Sequence, residues 1–297
     1  MNLDAPTRTS GEEITLPYPK RTDRKRRTIL LEINSRDRNR RIYPNASEFR
    51  VRLFRPLKDV TQLQIAGGSI PSCVYNVNTG WNSFTFEEDG IRFPATLQAG
   101  KYTFQTLANE LTSVLNNLVG IQNKYEVSFN TITGKTTITR ISNNKPFKVL
   151  FGSGDFVDFY DQANTLQKIN SPAHLLGFLN TDYSSNSIGV ILSPNIADLD
   201  FILTRFYLYV NNDNTQDLGI IERAVGRNHP HAIIYMDAGY GNYKFLNKET
   251  YEPLFQAKPA PIARMATLDI ALRDEFDRII DLNGRDFTLL LEVEYCE

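Results

Sequence analysis

Three histidines, two cysteines and a scatter of carboxylates are the side chains from which this 297-residue chain would have to build a reactive centre. His229-Pro230-His231 offers two imidazoles two residues apart. Pro230 bends the backbone where a strand would be needed to put both rings on one face, and no carboxylate or thiol stands at a matching spacing. The pair reads as a turn with two surface histidines, and no metal is expected. Asp155, Asp158, Asp161, Asp198 and Asp200 could supply an acid and a base, as a glycan-cleaving β-sandwich would need, but the same residues also describe a solvated face. "FGSGDF" and "DAGYGNY" lack the lysine and hydroxyl of a phosphate loop and the glycine triplet of a dinucleotide-binding turn, so they read as turns. No serine sits in a nucleophile elbow, and neither Cys73 nor Cys296 has the flanks of a cysteine hydrolase. The chain reads as a non-enzyme with no cofactor, and a glycan-active enzyme is the minority alternative.

What the sequence does concentrate is positive charge. The formal net charge is -1, yet thirteen basic residues stand against four acidic ones between Lys20 and Arg55. A chain so divided presents a basic end to an acidic or phosphate-bearing partner and an acidic body to a basic neighbour. The residues assigned to protein interaction are Lys20, Arg21, Arg24, Lys25, Arg26, Arg27, Arg36, Arg38, Arg50 and Arg52. In "EFRVRLF", alternation sends Phe49, Val51 and Leu53 to the core and Arg50 and Arg52 outward. In "NSRDRNRRIYPN", Asp37 lies between arginines and Tyr43-Pro44-Asn45 supplies turn chemistry, so a loop tied to the body by charge-assisted hydrogen bonds competes evenly with a binding loop. Nucleic acid is the alternative partner of the basic arm. Phosphate neutralisation would then make affinity fall steeply with salt, and the lack of interleaved aromatics disfavours single-strand recognition.

The elements that must position these residues are mostly strands. Residues 1–27 are polar, rich in Thr, Pro and charge, and aperiodic, which describes an extended arm. The body, 28–297, alternates apolar and polar residues in short runs such as "TILLEI", "TQLQIAG", "NSFTFEE", "KTTITRI", "FILTRFYLYV", "ATLDIALRD" and "FTLLLEVEY". The last is apolar enough for a central strand buried on both faces. "YTFQTLANELTSVLNNLVG" breaks the pattern: Phe104, Leu107, Ala108, Leu111, Val114, Leu115 and Leu118 recur at helical spacing, with Thr103 as N-cap and Gly120 as stop. "KYEVSFNTITGKTTITRI" follows as a hairpin, and a second helical stretch is expected between Tyr160 and Ile169. The fold class is mainly β, a jelly-roll-like antiparallel β-sandwich with an inserted helix and hairpin in an α+β unit at about 98–182. Two cysteines are too few for a stapled secreted scaffold, so both are expected to be free thiols in a reducing compartment. No apolar run of spanning length and no signal peptide is visible, so neither membrane spanning nor secretion is expected.

The order of several short motifs adds a resemblance. "INSRDRNRRIYPNASEFRVRLFRPLKDVTQLQIAGGSIPSCVYNVN", "LQAGKYTFQTLANELTSVLNN", "HLLGF" and "LDIALRDEFDRIIDLNGRDFTLLLEVEY" together resemble minor capsid proteins of nucleocytoplasmic large DNA viruses. Their pattern is an SRDR-like loop, a YPN turn, an IP-bearing strand end, a step into a helix, an LGF box and a closing strand. The resemblance implies a virion structural protein of a giant virus, without catalysis, lying among or beneath the major capsomers. The major capsid protein and other minor capsid proteins would be its partners, and it would be assembled in the host cytoplasm. The arm before Thr28 and the "RDEFDRIIDL" interruption from Arg273 to Leu282 lie outside that pattern.

Overall fold

The computed structural model describes residues 25–142, 145–162, 165–201, 203–211, 229–256 and 261–296. The first half of the chain forms β1 (Arg26–Asn34), β2 (Glu48–Pro71), β3 (Ser83–Glu88), β4 (Ile91–Thr96), helix α1 (Phe104–Asn116), β5 (Tyr125–Phe129), β6 (Thr136–Arg140) and β7 (Phe147–Leu150). Then come β8 (Phe159–Tyr160), β9 (Leu166–Lys168), β10 (Asp182–Ser184), β11 (Val190–Leu192), β12 (Arg205–Asn211), β13 (Ala232–Tyr235), β14 (Tyr243–Asn247), β15 (Phe255–Gln256), β16 (Ile262–Arg273) and β17 (Thr288–Cys296). Every pairing in the sheets is antiparallel, and the mainly β, jelly-roll-like class expected from the alternation holds.

Period-two alternation explains the principal sheet, ordered β1-β17-β2-β16-β12-β13, with β14 and β15 also pairing with β2. Its inward residues, among them Phe49, Leu63 and Ile65 of β2, Leu268 and Ile270 of β16, and Leu289, Leu291 and Val293 of β17, are buried in one core cluster. Both ends of the chain are closed into this sheet, since Arg26 pairs with Cys296 and Asn34 with Thr288. β17 is central, as expected, but only one of its faces is fully buried. Leu290, Glu292 and Glu294 on the other face are half-exposed, and Glu292 Oε1 accepts from Lys248 Nζ at 2.6 Å. The runs "EFRVRLF" and "TQLQIAG" are a single 24-residue strand rather than two. β17 lies along one side of β2, while β16, β15 and β14 follow one another along the other.

The second core lies between Val77 and Leu199 and is rich in rings: Trp81, Phe84, Phe86, Tyr125, Phe147, Phe151 and Phe178 are all buried in it. It gathers the small sheets β10-β7-β3-β4 and β11-β6-β5 around α1. The unit is therefore wider than residues 98–182, because β3 and β4 belong to it. The helix starts where its cap predicts: Thr103 Oγ1 accepts from the Thr106 N–H at 3.2 Å, and Thr106 Oγ1 accepts from the Thr103 N–H at 2.9 Å. Leu107, Ala108, Leu111 and Leu115 form its buried face. Buried Glu88 is satisfied by the Gln122 and Asn123 N–H groups at 2.7 and 2.8 Å and by the Tyr125 hydroxyl at 2.8 Å, which ties β3 to the segment entering the β5–β6 hairpin. Burial, reinforced by the Glu88 carboxylate, pushes the Tyr125 hydroxyl's pKa well above its ordinary value. The helix expected between Tyr160 and Ile169 is instead the β8–β9 pair. There Asp161 Oδ1 caps the turn by accepting from the Thr165 N–H at 2.8 Å, a local bond that competes with helix.

The interruption from Arg273 to Leu282 joins the two cores. Phe276 packs against the ring-rich core and lies 6.4 Å from Phe201, and the Arg278 guanidinium stands 4.3 Å from the Trp81 ring centroid. Asp274 Oδ2 holds Arg278 Nε at 2.8 Å. Trp81, which the sequence leaves open as loop or core plug, is buried and donates its indole N–H to the Asn76 carbonyl at 2.9 Å.

Candidate interaction surface

The arginines divide by what stands opposite them. The segment Ser35–Asp37 forms a short 3-10 turn capped by Asn34, which brings Arg38 back under the YPN turn. Arg38 is only 9% exposed. Its Nη1 donates to Asp286 Oδ1 at 2.6 Å and to the Ser35 carbonyl at 2.7 Å, its Nε to the Tyr43 carbonyl at 3.0 Å, and its Nη2 to the Pro44 carbonyl at 3.2 Å. Ser35 Oγ also donates to Asp286 Oδ1, at 3.0 Å. Arg38 is thus a brace rather than a docking cation, and its anion is Asp286 rather than the neighbouring Asp37. Burying a guanidinium is tolerated only with such a set of acceptors.

Arg36 and Arg40 remain on the surface, 3.9 and 3.4 Å from Asp286 Oδ2. Arg50 points outward as alternation requires, but Asp269 on β16 holds it in a fork, Nε to Oδ1 at 2.6 Å and Nη2 to Oδ2 at 2.8 Å. Arg52 is exposed and forms no ion pair among the described residues. Lys25, Arg26 and Arg27 are exposed where β1 begins, so the strand starts two residues inside the stretch assigned to the arm. Lys20, Arg21 and Arg24 lie outside the described residues.

Sequence reasoning missed the residues between Arg52 and Lys58. Met265 pairs with Leu57 and Thr267 with Arg52, so β2 fits four residues into the gap where β16 has one, and the surplus is pushed out as a bulge. Pro56 is tolerated there because no ladder bond is asked of it. Phe54 on this bulge is 106% exposed, flanked by exposed Arg52 and Arg55. The signal was available: once Phe49, Val51 and Leu53 face the core, Phe54 must face out.

The histidines do not converge. His231 is buried rather than at the surface, 1% exposed, and its Nδ1 accepts from the Val210 N–H at 3.2 Å. His229 is exposed. His174 stacks on Phe201, with Nε2 3.4 Å from Asp158 Oδ2 and 3.2 Å from the Tyr160 hydroxyl. No group of three or more His, Cys, Asp or Glu side chains suited to a metal occurs among the described residues. Burial pushes the Cys73 thiol up to about 11, opposed by Arg285 and aided by Asp281; the thiol donates to the Leu282 carbonyl at 2.9 Å. Cys73 and Cys296 are both free.

Fold and surface together define a mainly β, two-core protein in which Arg38 is a buried brace, Arg50 is held by Asp269, and Lys25, Arg26, Arg27 and Arg52 stay exposed. The model of a family of unknown function, DUF5901, matches residues 21–193, and the chain belongs to that family. No curated protein sequence matches the chain. Among solved structures, it is similar to the crystal structure of a selenomethionine-labelled mavirus penton protein, with 12% identity and a TM-score of 0.46 over 91% of this chain and 100% of that one. Among the described residues no helix is long and apolar enough to cross a membrane.

Proposed function

We propose that the chain is a non-enzymatic structural protein of a large DNA virus capsid, a minor component that links or braces major capsomers through its N-terminal arm and exposed loops. Its partners are the major capsid protein and other minor capsid proteins, and its place is the virion. The observation that carries this reading is the division of the arginines. The SRDR-like loop spends Arg38 on Asp286, 248 residues away in the closing segment, so the motif residues lock the two ends of the chain together. Arg26, Arg27, Arg50 and Arg52 lie exposed on strands that hold them in defined positions, an arrangement suited to adhesion.

The test is quantitative mass spectrometry of purified particles before and after detergent stripping. A fixed substoichiometric ratio to the major capsid protein that survives detergent is the expected result. Absence from particles overturns the reading. Salt-sensitive DNA binding that vanishes on deletion of residues 1–27 would replace it with nucleic-acid binding.

A further inference from the structure

Four strand segments meet at one end of the principal sheet. Arg26 and Arg27 at the start of β1 pair with Cys296 and Tyr295, and Tyr295 stands opposite Val60 of β2. Across β2, Val60 pairs with Ile262 and Lys58 with Arg264. Lys25, Arg26, Arg55 and Lys58 are exposed at this end, and Arg52 lies just across the bulge; none of the five has an ion pair among the described residues. Between Arg52 and Arg55 on the bulge, Phe54 stands clear of its own fold at 106% exposure.

A protruding ring is held in water at a cost in apolar hydration, and the five cations repel one another, opposed within residues 49–60 of β2 by Asp59 alone. Both penalties are relieved by a partner that is anionic at its face and apolar immediately beneath. We propose that this end of the sheet docks on an anionic membrane surface, with Phe54 entering the apolar layer and the surrounding arginines and lysines meeting the headgroup anions. A bilayer has that layering everywhere, so a convex aromatic flanked by cations needs no preformed socket. Duplex DNA matches the charge, but its bases are already stacked and leave the ring in water. The inference goes beyond the capsid reading and stands without it, since it rests on the bulge and the ends of β1, β16 and β17.

The experiment uses the full chain with phosphatidylcholine vesicles, with and without phosphatidylserine. Sedimentation with the phosphatidylserine vesicles alone, weakened by salt, is expected. Each cation contributes about fivefold near such a surface, so Arg52→Gln combined with Arg55→Gln loses about 30-fold in binding. Phe54→Ala loses about tenfold, the share expected for a ring leaving water. All three side chains are exposed, so the thermal midpoint stays unchanged. In a Phe54→Trp variant the new indole shifts to the blue and is quenched by brominated acyl chains, while buried Trp81, the one native tryptophan, is not. The proposal is overturned by equal binding to both vesicle types, by no binding, or by Phe54→Ala binding as the wild type does. Binding in which duplex DNA displaces the vesicles and Phe54 has no influence would assign the same end to nucleic-acid phosphates.

Discussion

The principal sheet buries mostly aliphatic residues along strands of up to 24 residues, whereas the unit between Val77 and Leu199 buries Trp81, Tyr125 and five phenylalanines around short strands and a helix. They also close over different distances. The sheet pairs Arg26 with Cys296 and Leu63 with Val293, while the smaller unit pairs Tyr125 with Arg140 and Phe86 with Phe93. Short closures cost less chain entropy, so the ring-rich unit can assemble before the sheet does. Its edge-to-face and stacked pairs, Phe86 with Tyr125 at 5.0 Å and with Phe147 at 5.6 Å, give it a rigid centre independent of the chain ends. The sheet is finished only when β17 slides between β1 and β2. One region is local and self-contained, and the other depends on the last strand.

The sharpest break in this comparison is removal of residues 287–297. It takes the strand between β1 and β2 away, and the principal sheet is expected to unfold. Hydrogen-exchange protection should vanish from β1, β2 and β16 but persist from β3 to β7; loss of protection throughout would show that the ring-rich unit cannot stand alone. Next comes Leu111→Asp, which places a charge on the buried face of α1 and should cost about 4 kcal/mol in denaturant unfolding. A neutral result would contradict the packing of that face. Arg38→Ala strips the brace from the SRDR-like loop and leaves Asp286 with only outlying arginines, costing about 3 kcal/mol, whereas Arg52→Ala should stay within about 0.5 kcal/mol. Equal effects would erase the division between internal and external cations. Arg278→Ala removes the guanidinium over Trp81 and should cost about 1 kcal/mol. Calorimetry would check whether it also splits one unfolding transition into two. The smallest effect is kinetic: the Cys73 thiol, with its pKa near 11 and its buried sulfur, should react with maleimide at pH 8 far more slowly than half-exposed Cys296.

How far these features could be read in advance depends on how local their causes are. The capped helix was legible because Thr103 and the apolar stripe act within one segment, although it ends at Asn116 with Asn117 as its cap, four residues before the Gly120 expected to stop it. Alternation placed Phe49 and Leu53 inside and Arg50 and Arg52 outside for the same reason. Nothing near Arg38 distinguishes it from Arg36, because the choice is made by Asp286. The joining of "EFRVRLF" to "TQLQIAG" is likewise imposed from afar, by β16, which pairs with β2 on both sides of the intervening bulge. Pro230 favours a bend that would leave His231 at the surface, but the neighbouring strand β12 covers it and the Val210 N–H donates to its Nδ1. "YDQANTLQKI" has enough helical spacing to mislead, and Asp161 decides for the turn.

The pairing of β1 with β17 has a mechanical consequence. The chain before Lys25 enters the body through β1, and all nine residues of that strand are in unbroken register with β17. Tension on the leading segment, directed along the strand, therefore loads the ladder in shear, with its hydrogen bonds sharing the force. A sideways pull would open them one pair at a time. A tether drawn tight along the sheet is held far more firmly than one lifted away from it.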